Sequence, residues 1–211
     1  MGTSNLAARR GAKANRRKAI VAQKRKAGVG GQTVAGQVAG ATTAPIRHCL
    51  LTESLFETGM GTLILARGSA VGQCAVGAFL LDAFCLGVKD VMFRTLEGGQ
   101  LATYLGMLSA ATPLVPVDPS YARKLLRDLV LWSGSLGFQP HADFTTVERL
   151  FGTVDPQACE TAFEFGQDGK PLYVPGPSEP PLLVRRRMDQ LSRQLGPGGF
   201  DYVVPVQEAS W

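Results

Sequence analysis

From residue 46 onward the hydrophobic positions of this chain come in short bursts separated by turn residues, a pattern of strands rather than of long helices. Residues 46–51 (IRHCLL), 61–66 (GTLILA) and 75–84 (AVGAFLLDAF) predict three strands, and Arg67-Gly68-Ser69 opens the turn between the second and third. Consecutive runs with such short connections make an antiparallel meander. Residues 86–95 (LGVKDVMFRT) continue it as a further strand or as a loop.

The period then changes. Leu101, Leu105 and Leu108 recur at helical spacing within 98–110. Tyr121, Leu125, Leu126, Leu129, Val130 and Trp132 do so in a stronger helix, which Asp118-Pro119 starts and Gly137 stops. Another helix is expected over 144–151, with Asp143 as its cap. Phe163-Glu164-Phe165-Gly166 and Leu172-Tyr173-Val174 flank Gln167-Asp168-Gly169-Lys170, a hairpin signal, because Asp-Gly supplies the positive φ angles of a tight turn. The last helix covers 179–195 and ends in Gly196-Pro197-Gly198-Gly199; residues 200–206 (FDYVVPV) read as a closing strand that Pro205 confines to an edge. The expectation is an α+β fold: a single domain with a small antiparallel or mixed sheet and three to four helices, preceded by a basic arm.

Before residue 46 the hydrophobic pattern fades and charge takes over. The 211 residues carry a formal net charge of +5, but that figure averages two different regions. Residues 1–52 hold ten basic side chains and no acidic one, whereas the remainder holds 12 basic and 17 acidic, so a +10 segment precedes a −5 body. Residues 1–27 are expected to be disordered, or helical on binding, since like charges crowd a stretch with few large apolar groups to dock. Residues 28–45 (GVGGQTVAGQVAGATTAP) have the composition of a flexible linker, 46–206 form the globular domain, and 207–211 are a tail. A protein with 45% hydrophobic residues is not a disordered chain, and no apolar run approaches the roughly 20 residues that span a bilayer. No membrane partner is therefore expected, and the four cysteines read as reduced, small apolar residues.

A polyanion is the natural partner of such an arm. Arg9, Arg10, Lys13, Arg16, Arg17, Lys18, Lys24, Arg25 and Lys26 are the expected phosphate contacts, and Arg185, Arg186 and Arg187 on the last helix form an auxiliary patch. The arm has no aromatic residue to stack on bases, so it would grip the backbone of RNA, more than DNA, without reading sequence. An alternative for the same composition is a solvated tail or a transit peptide removed in an organelle.

For catalysis, the body offers Asp82 in the middle of an apolar run, with Cys85 and Lys89 close behind. An isolated buried carboxylate is too costly, so Asp82 must be paired or hydrogen-bonded, and Lys89 reaches it only if the chain turns at Gly87. Strand alternation would put Asp82 and Phe84 on one face. A nucleophilic Cys85 needs a base, and the histidines are His48 and His141. No two cysteines have the spacing of a zinc ligand pair, and GxxxxGK[ST], GxGxxG after a strand, HExxH and GxSxG are absent. No catalytic residue, metal ligand or cofactor is therefore assigned.

The segments FETGMGTLILAR, FLLDAFCLGVKDVMFR, PVDPSYARKLL, SLGFQPHADF, FEFGQDGKPLYVPGP and LGPGGFDYVVPV, which occupy most of 49–206, resemble a family of uncharacterised bacterial proteins with a Lys/Arg-rich amino-terminal extension. That resemblance implies a bacterial, cytoplasmic setting and a single α+β domain, and nothing about chemistry. The leading expectation is a non-enzymatic protein that binds RNA or a ribonucleoprotein (ribosome-like) surface. The alternatives are an enzyme using the Asp82/Cys85/Lys89 region with His141, or a structural subunit of a protein assembly.

Overall fold

The computed structural model describes residues 33–69 and 71–203. The arm at 1–27, the first part of the expected linker and the tail at 207–211 lie outside the described residues. The described part of the first compact unit, residues 33–37, is the start of helix α1 (Val34–Ala41), where Gln37 N donates to Thr33 O at 2.9 Å. The second unit, from Val38, is an α+β domain.

Its sheet has five antiparallel strands in the order β4-β3-β2-β1-β5. They are β1 (Ile46–Thr52), β2 (Met60–Gly68), β3 (Gln73–Asp82), β4 (Gly87–Glu97) and β5 (Leu114–Pro116). The first four form the expected meander, β2 pairing with β3 from Met60↔Asp82 to Gly68↔Cys74, and β3 with β4 from Gln73↔Glu97 to Asp82↔Gly87. Arg67 and Gly68, expected in a turn, continue β2, because the Arg67 guanidinium finds acceptors inside the domain. Between β1 and β2 lies the single turn α2 (Leu55–Thr58).

Both faces of the sheet are used, as a period of two requires. On one face Leu63, Leu65, Phe79 and Leu81 pack with Leu125, Leu126 and Leu129 of α4 (Pro119–Ser135), and with Phe144, Leu150 and Phe151. Those last residues belong to the short α5 (Phe144–Val147) and the 3₁₀ turn Glu148–Phe151, which together fill the span expected as one helix. The opposite face, Ile64, Ala66, Val76 and Ala78, is covered by Leu101, Tyr104 and Leu105 of α3 (Gly98–Ala111). Asp118 caps α4 as expected, its Oδ1 accepting from Ser120 N at 2.7 Å; Asp143 makes no such bond at α5.

The linker expectation over 28–45 is corrected for its second half. Residues 34–41 are helical, and Val38 is fully buried in the main core: a single medium apolar side chain anchors a stretch whose composition looks featureless. Arg67, 7% exposed, then fastens the end of that segment, donating to Thr42 O (2.8 Å), Ala44 O (2.6 Å) and Phe151 O (2.8 Å).

The hairpin expectation is corrected in its partners. Asp168 and Gly169 do take positive φ angles (51° and 77°), and Gln167 pairs with Lys170. However, β6 (Leu172–Tyr173) pairs in parallel with β7 (Asp201–Tyr202) rather than with residues 163–165. Helix α6 (Pro181–Leu195) connects the two and packs Met188, Leu191 and Leu195 against Leu86, Leu136 and Tyr173. Among the described residues three helices, α3, α4 and α6, exceed ten residues, and α1, α2 and α5 are short.

Candidate functional site

Strand β3 ends at Asp82, and residues 83–86 form a tight turn into β4. Asp82 and Phe84 are therefore not neighbours on a strand face. Instead the Asp82 carboxylate organises the turn: Oδ1 accepts from Phe84 N (3.1 Å) and Cys85 N (2.8 Å). Gly87 closes it at φ 73°, and a side chain there would overlap Ser133 of α4, its Cβ falling 2.2 Å from Oγ. This brings Lys89 back toward Asp82, as the sequence requires, with Nζ 3.9 Å from Oδ2.

Three residues far along the chain, Tyr173, Glu179 and Arg187, complete the cluster. Lys89 Nζ is also 3.9 Å from Oε1 of Glu179. Glu179 in turn receives the Tyr173 hydroxyl on Oε2 (2.6 Å) and pairs with Arg187 at 2.5 Å, while the Arg187 guanidinium lies 5.9 Å over the Tyr173 ring. Burial, then the bond to Glu179, pushes the fully buried Tyr173 phenol up to about 12. Burial also opposes ionisation of Glu179, but the Tyr173 hydroxyl and Arg187 outweigh it and hold the carboxyl below the usual range. Asp82 goes the other way: burial pushes it up despite Lys89 and the turn N–H groups.

Against this cluster lies a cavity of about 240 Å³. Its walls are apolar, from Met60, Phe84, Leu172, Val174 and Pro175, with Asp82 and Lys89 at one side. Gly59, at φ 75°, lets the Phe84 ring form the wall, since a Cβ there would fall 2.3 Å from Cδ2 of that ring.

The other chemical candidates are not brought in. Cys85 is fully buried among Leu86, Leu136, Tyr173 and Leu191, and burial, then the Asp82 charge, pushes its thiol well up. That favours the thiol over the thiolate a nucleophile needs. His141 contacts Asp90 (3.5 Å) and accepts the Asp143 N–H on Nδ1 (3.3 Å), so both imidazole nitrogens are engaged by residues other than Cys85. Among the described residues no group of three or more His, Cys, Asp or Glu is placed to hold a metal ion. No helix there is long and apolar enough to cross a membrane.

The expected basic patch divides. Arg185 and Arg186 are exposed on α6 and have no partner among the described residues, whereas Arg187, expected outward, turns inward onto Glu179 because the entry to α6 places that carboxylate beside it. The nine basic residues between Arg9 and Lys26 lie outside the described residues. A larger, open cleft of about 390 Å³ is lined by Phe56, Tyr121 and Phe163, with Glu164 and Asp168 at its rim. Its carboxylates make it a poor surface for phosphate. No protein-family model, curated protein or solved structure matches the chain.

Proposed function

We propose that this chain is a non-enzymatic nucleic-acid-associated binding protein, which uses its basic arm to grip RNA or a ribonucleoprotein surface. The observation that carries this reading is the charge division: ten basic and no acidic residues in the first 52, followed by an acidic body. Each phosphate neutralised by Arg9, Arg10, Lys13, Arg16, Arg17, Lys18, Lys24, Arg25 or Lys26 releases condensed counterions, so binding is tight at low salt and falls steeply as salt rises. Arg185 and Arg186, unpaired among the described residues, extend the same footprint to the domain; Arg187 contributes through Glu179 rather than through phosphate. A cytoplasmic, bacterial setting goes with this reading.

Acidic residues on the domain support it further. Asp155, Glu160, Glu164 and Asp168 fall in a stretch without a basic residue, so they repel a polyanion and confine it to the arm and α6. The test is sedimentation of the full chain with ribosomes or structured RNA, beside a variant carrying Arg16→Gln, Arg17→Gln, Lys18→Gln, Lys24→Gln, Arg25→Gln and Lys26→Gln. The expected result is loss of co-sedimentation and a shallower dependence of log affinity on log salt, by roughly 0.7 per phosphate contact removed on single strands. Equal co-sedimentation of the two chains at low salt would sink the reading.

A further inference from the structure

An ammonium held inside a protein ordinarily spends its donors on nearby acceptors. Lys124 does so with Asp128. Lys89 does not: it is 18% exposed, lies 3.9 Å from each of two carboxylates, and makes no hydrogen bond to any described residue. A separation of 3.9 Å is outside hydrogen-bond length. Each Glu179 oxygen is meanwhile engaged, Oε2 by the Tyr173 hydroxyl and Oε1 by Arg187, and Asp82 Oδ1 accepts from two backbone N–H groups. Lys89, with its ammonium uncommitted as a donor, and Asp82, whose carboxylate keeps capacity as an acceptor, both line the 240 Å³ apolar cavity, with Nζ 3.9 Å from Oδ2.

This pairing selects the ligand by charge. A carboxylate meeting Lys89 would be repelled by Asp82, and a cation meeting Asp82 would be repelled by Lys89. A neutral group that accepts at one atom and donates at the next suits both, and the amide is the simplest such group. We propose that this cavity binds a small apolar amide, its carbonyl oxygen taken by Lys89, its N–H given to Asp82, and its apolar part enclosed by Met60, Phe84, Leu172 and Val174. The same chemistry is present in a free small molecule and in a peptide bond beside an apolar side chain. The site does not depend on what the basic arm binds.

The test is a titration of the full ¹⁵N-labelled chain, followed by amide chemical shifts, with N-acetyl-leucinamide, N-acetyl-leucine and leucinamide in parallel. Saturable shifts at Gly59, Met60, Phe84, Lys89 and Val174 are expected with the neutral amide, and binding at least about tenfold weaker with either charged compound. Lys89→Met should weaken the amide about tenfold or more, and Val174→Phe, at a half-exposed wall position, should abolish binding by filling the space. An acetyl-Ala-Leu-Ala-amide arm separates the two sources: tighter binding than the single amide assigns the site to a peptide segment, and equal or weaker binding assigns it to a small molecule. Absence of saturable shifts at those residues overturns the proposal. So does unchanged affinity in Lys89→Met, or in Val174→Phe where Lys89→Met fails to fold.

Discussion

The Arg67–Arg123–Glu148 group and the Lys89–Asp82–Glu179 group both hold charge inside the domain, but they treat it differently. Arg67 donates to three backbone carbonyls, and Arg123 to Glu148 Oε1 (2.7 Å), Gly152 O (3.0 Å) and Val154 O (2.6 Å), while Arg127 adds a bond to the same Oε1 at 3.1 Å. Five carbonyls from two chain segments are gathered by two guanidinium groups. At Lys89 the corresponding distances are 3.9 Å and a cavity adjoins them. The first group spends nearly all of its buried donors, only Arg67 Nε lacking a partner among the described residues, and works as a fastening that lines neither cavity described above; the second keeps polar capacity in reserve beside empty space. Burial of charge alone therefore does not mark a site, whereas buried charge with unspent hydrogen bonds beside a cavity does.

Four substitutions test that difference. The largest effect is expected for Arg67→Met, which leaves the carbonyls of Thr42, Ala44 and Phe151 without their donor and should cost about 3 kcal/mol or more, measured as a fall in the denaturant midpoint. Next is Glu148→Gln. Burial raises the Glu148 carboxyl, but Arg123 and Arg127 overcome it and hold the pKa below the usual range. A depressed pKa gives stability that is present above the unfolded-state value and is lost as pH falls through the folded one. The substitution should cost about 2 kcal/mol at pH 7, and the gap to the parent should close in acid; a gap that persists there would remove the ion pair from the account.

Asp82→Asn makes the same chemical change in the slack group and should behave oppositely. Asp82 is raised, so its ionised form weighs against the fold at neutral pH, and the stability it gives is present below the unfolded-state value and lost as pH rises through the folded one. The Asn oxygen still accepts from Phe84 and Cys85, so the change at pH 7 should stay within about 1 kcal/mol and should not be a loss. A loss as large as that for Glu148→Gln would erase the contrast between the groups. The smallest effect, within about 0.5 kcal/mol in the thermal midpoint, is expected for Lys89→Met, because a pair at this distance and partly in solvent contributes little to folding.

Much of the domain was legible because its signals are local. The meander follows from alternation between turn residues, and α4 from the Asp118-Pro119 start and its leucine spacing. Helix α1 was not legible, since VAGQVAGA carries one side chain, Val38, that decides its fate through contacts elsewhere in the chain. The turn at Asp168-Gly169 was readable, but periodicity does not say which strand lies alongside, and Leu172–Tyr173 found Asp201–Tyr202 instead of its sequence neighbour. The same division runs through the site. Asp82 and Lys89 stood out because seven positions and a glycine separate them; Glu179 and Tyr173 lie some ninety residues on and carry no signal that relates them to Lys89. A buried tyrosine in a hairpin-like run, followed by an acid just ahead of an arginine-rich helix, was the available hint.

The two edges of the five-stranded sheet carry one more consequence, for what this domain can stick to. On the outer side of β4, the His141 N–H already donates to Val88 O, and the strand sets Lys89, Asp90, Arg94 and Glu97 along its length. At the other end β5 is three residues long, ends in Pro116 and follows Pro113. Charged side chains on one edge and a short, proline-bounded strand on the other discourage a second chain from adding its own strand. The meander, whose central strands are among the most apolar segments of the molecule, is thereby guarded against edge-to-edge aggregation, and partners are left to meet side chains rather than open backbone.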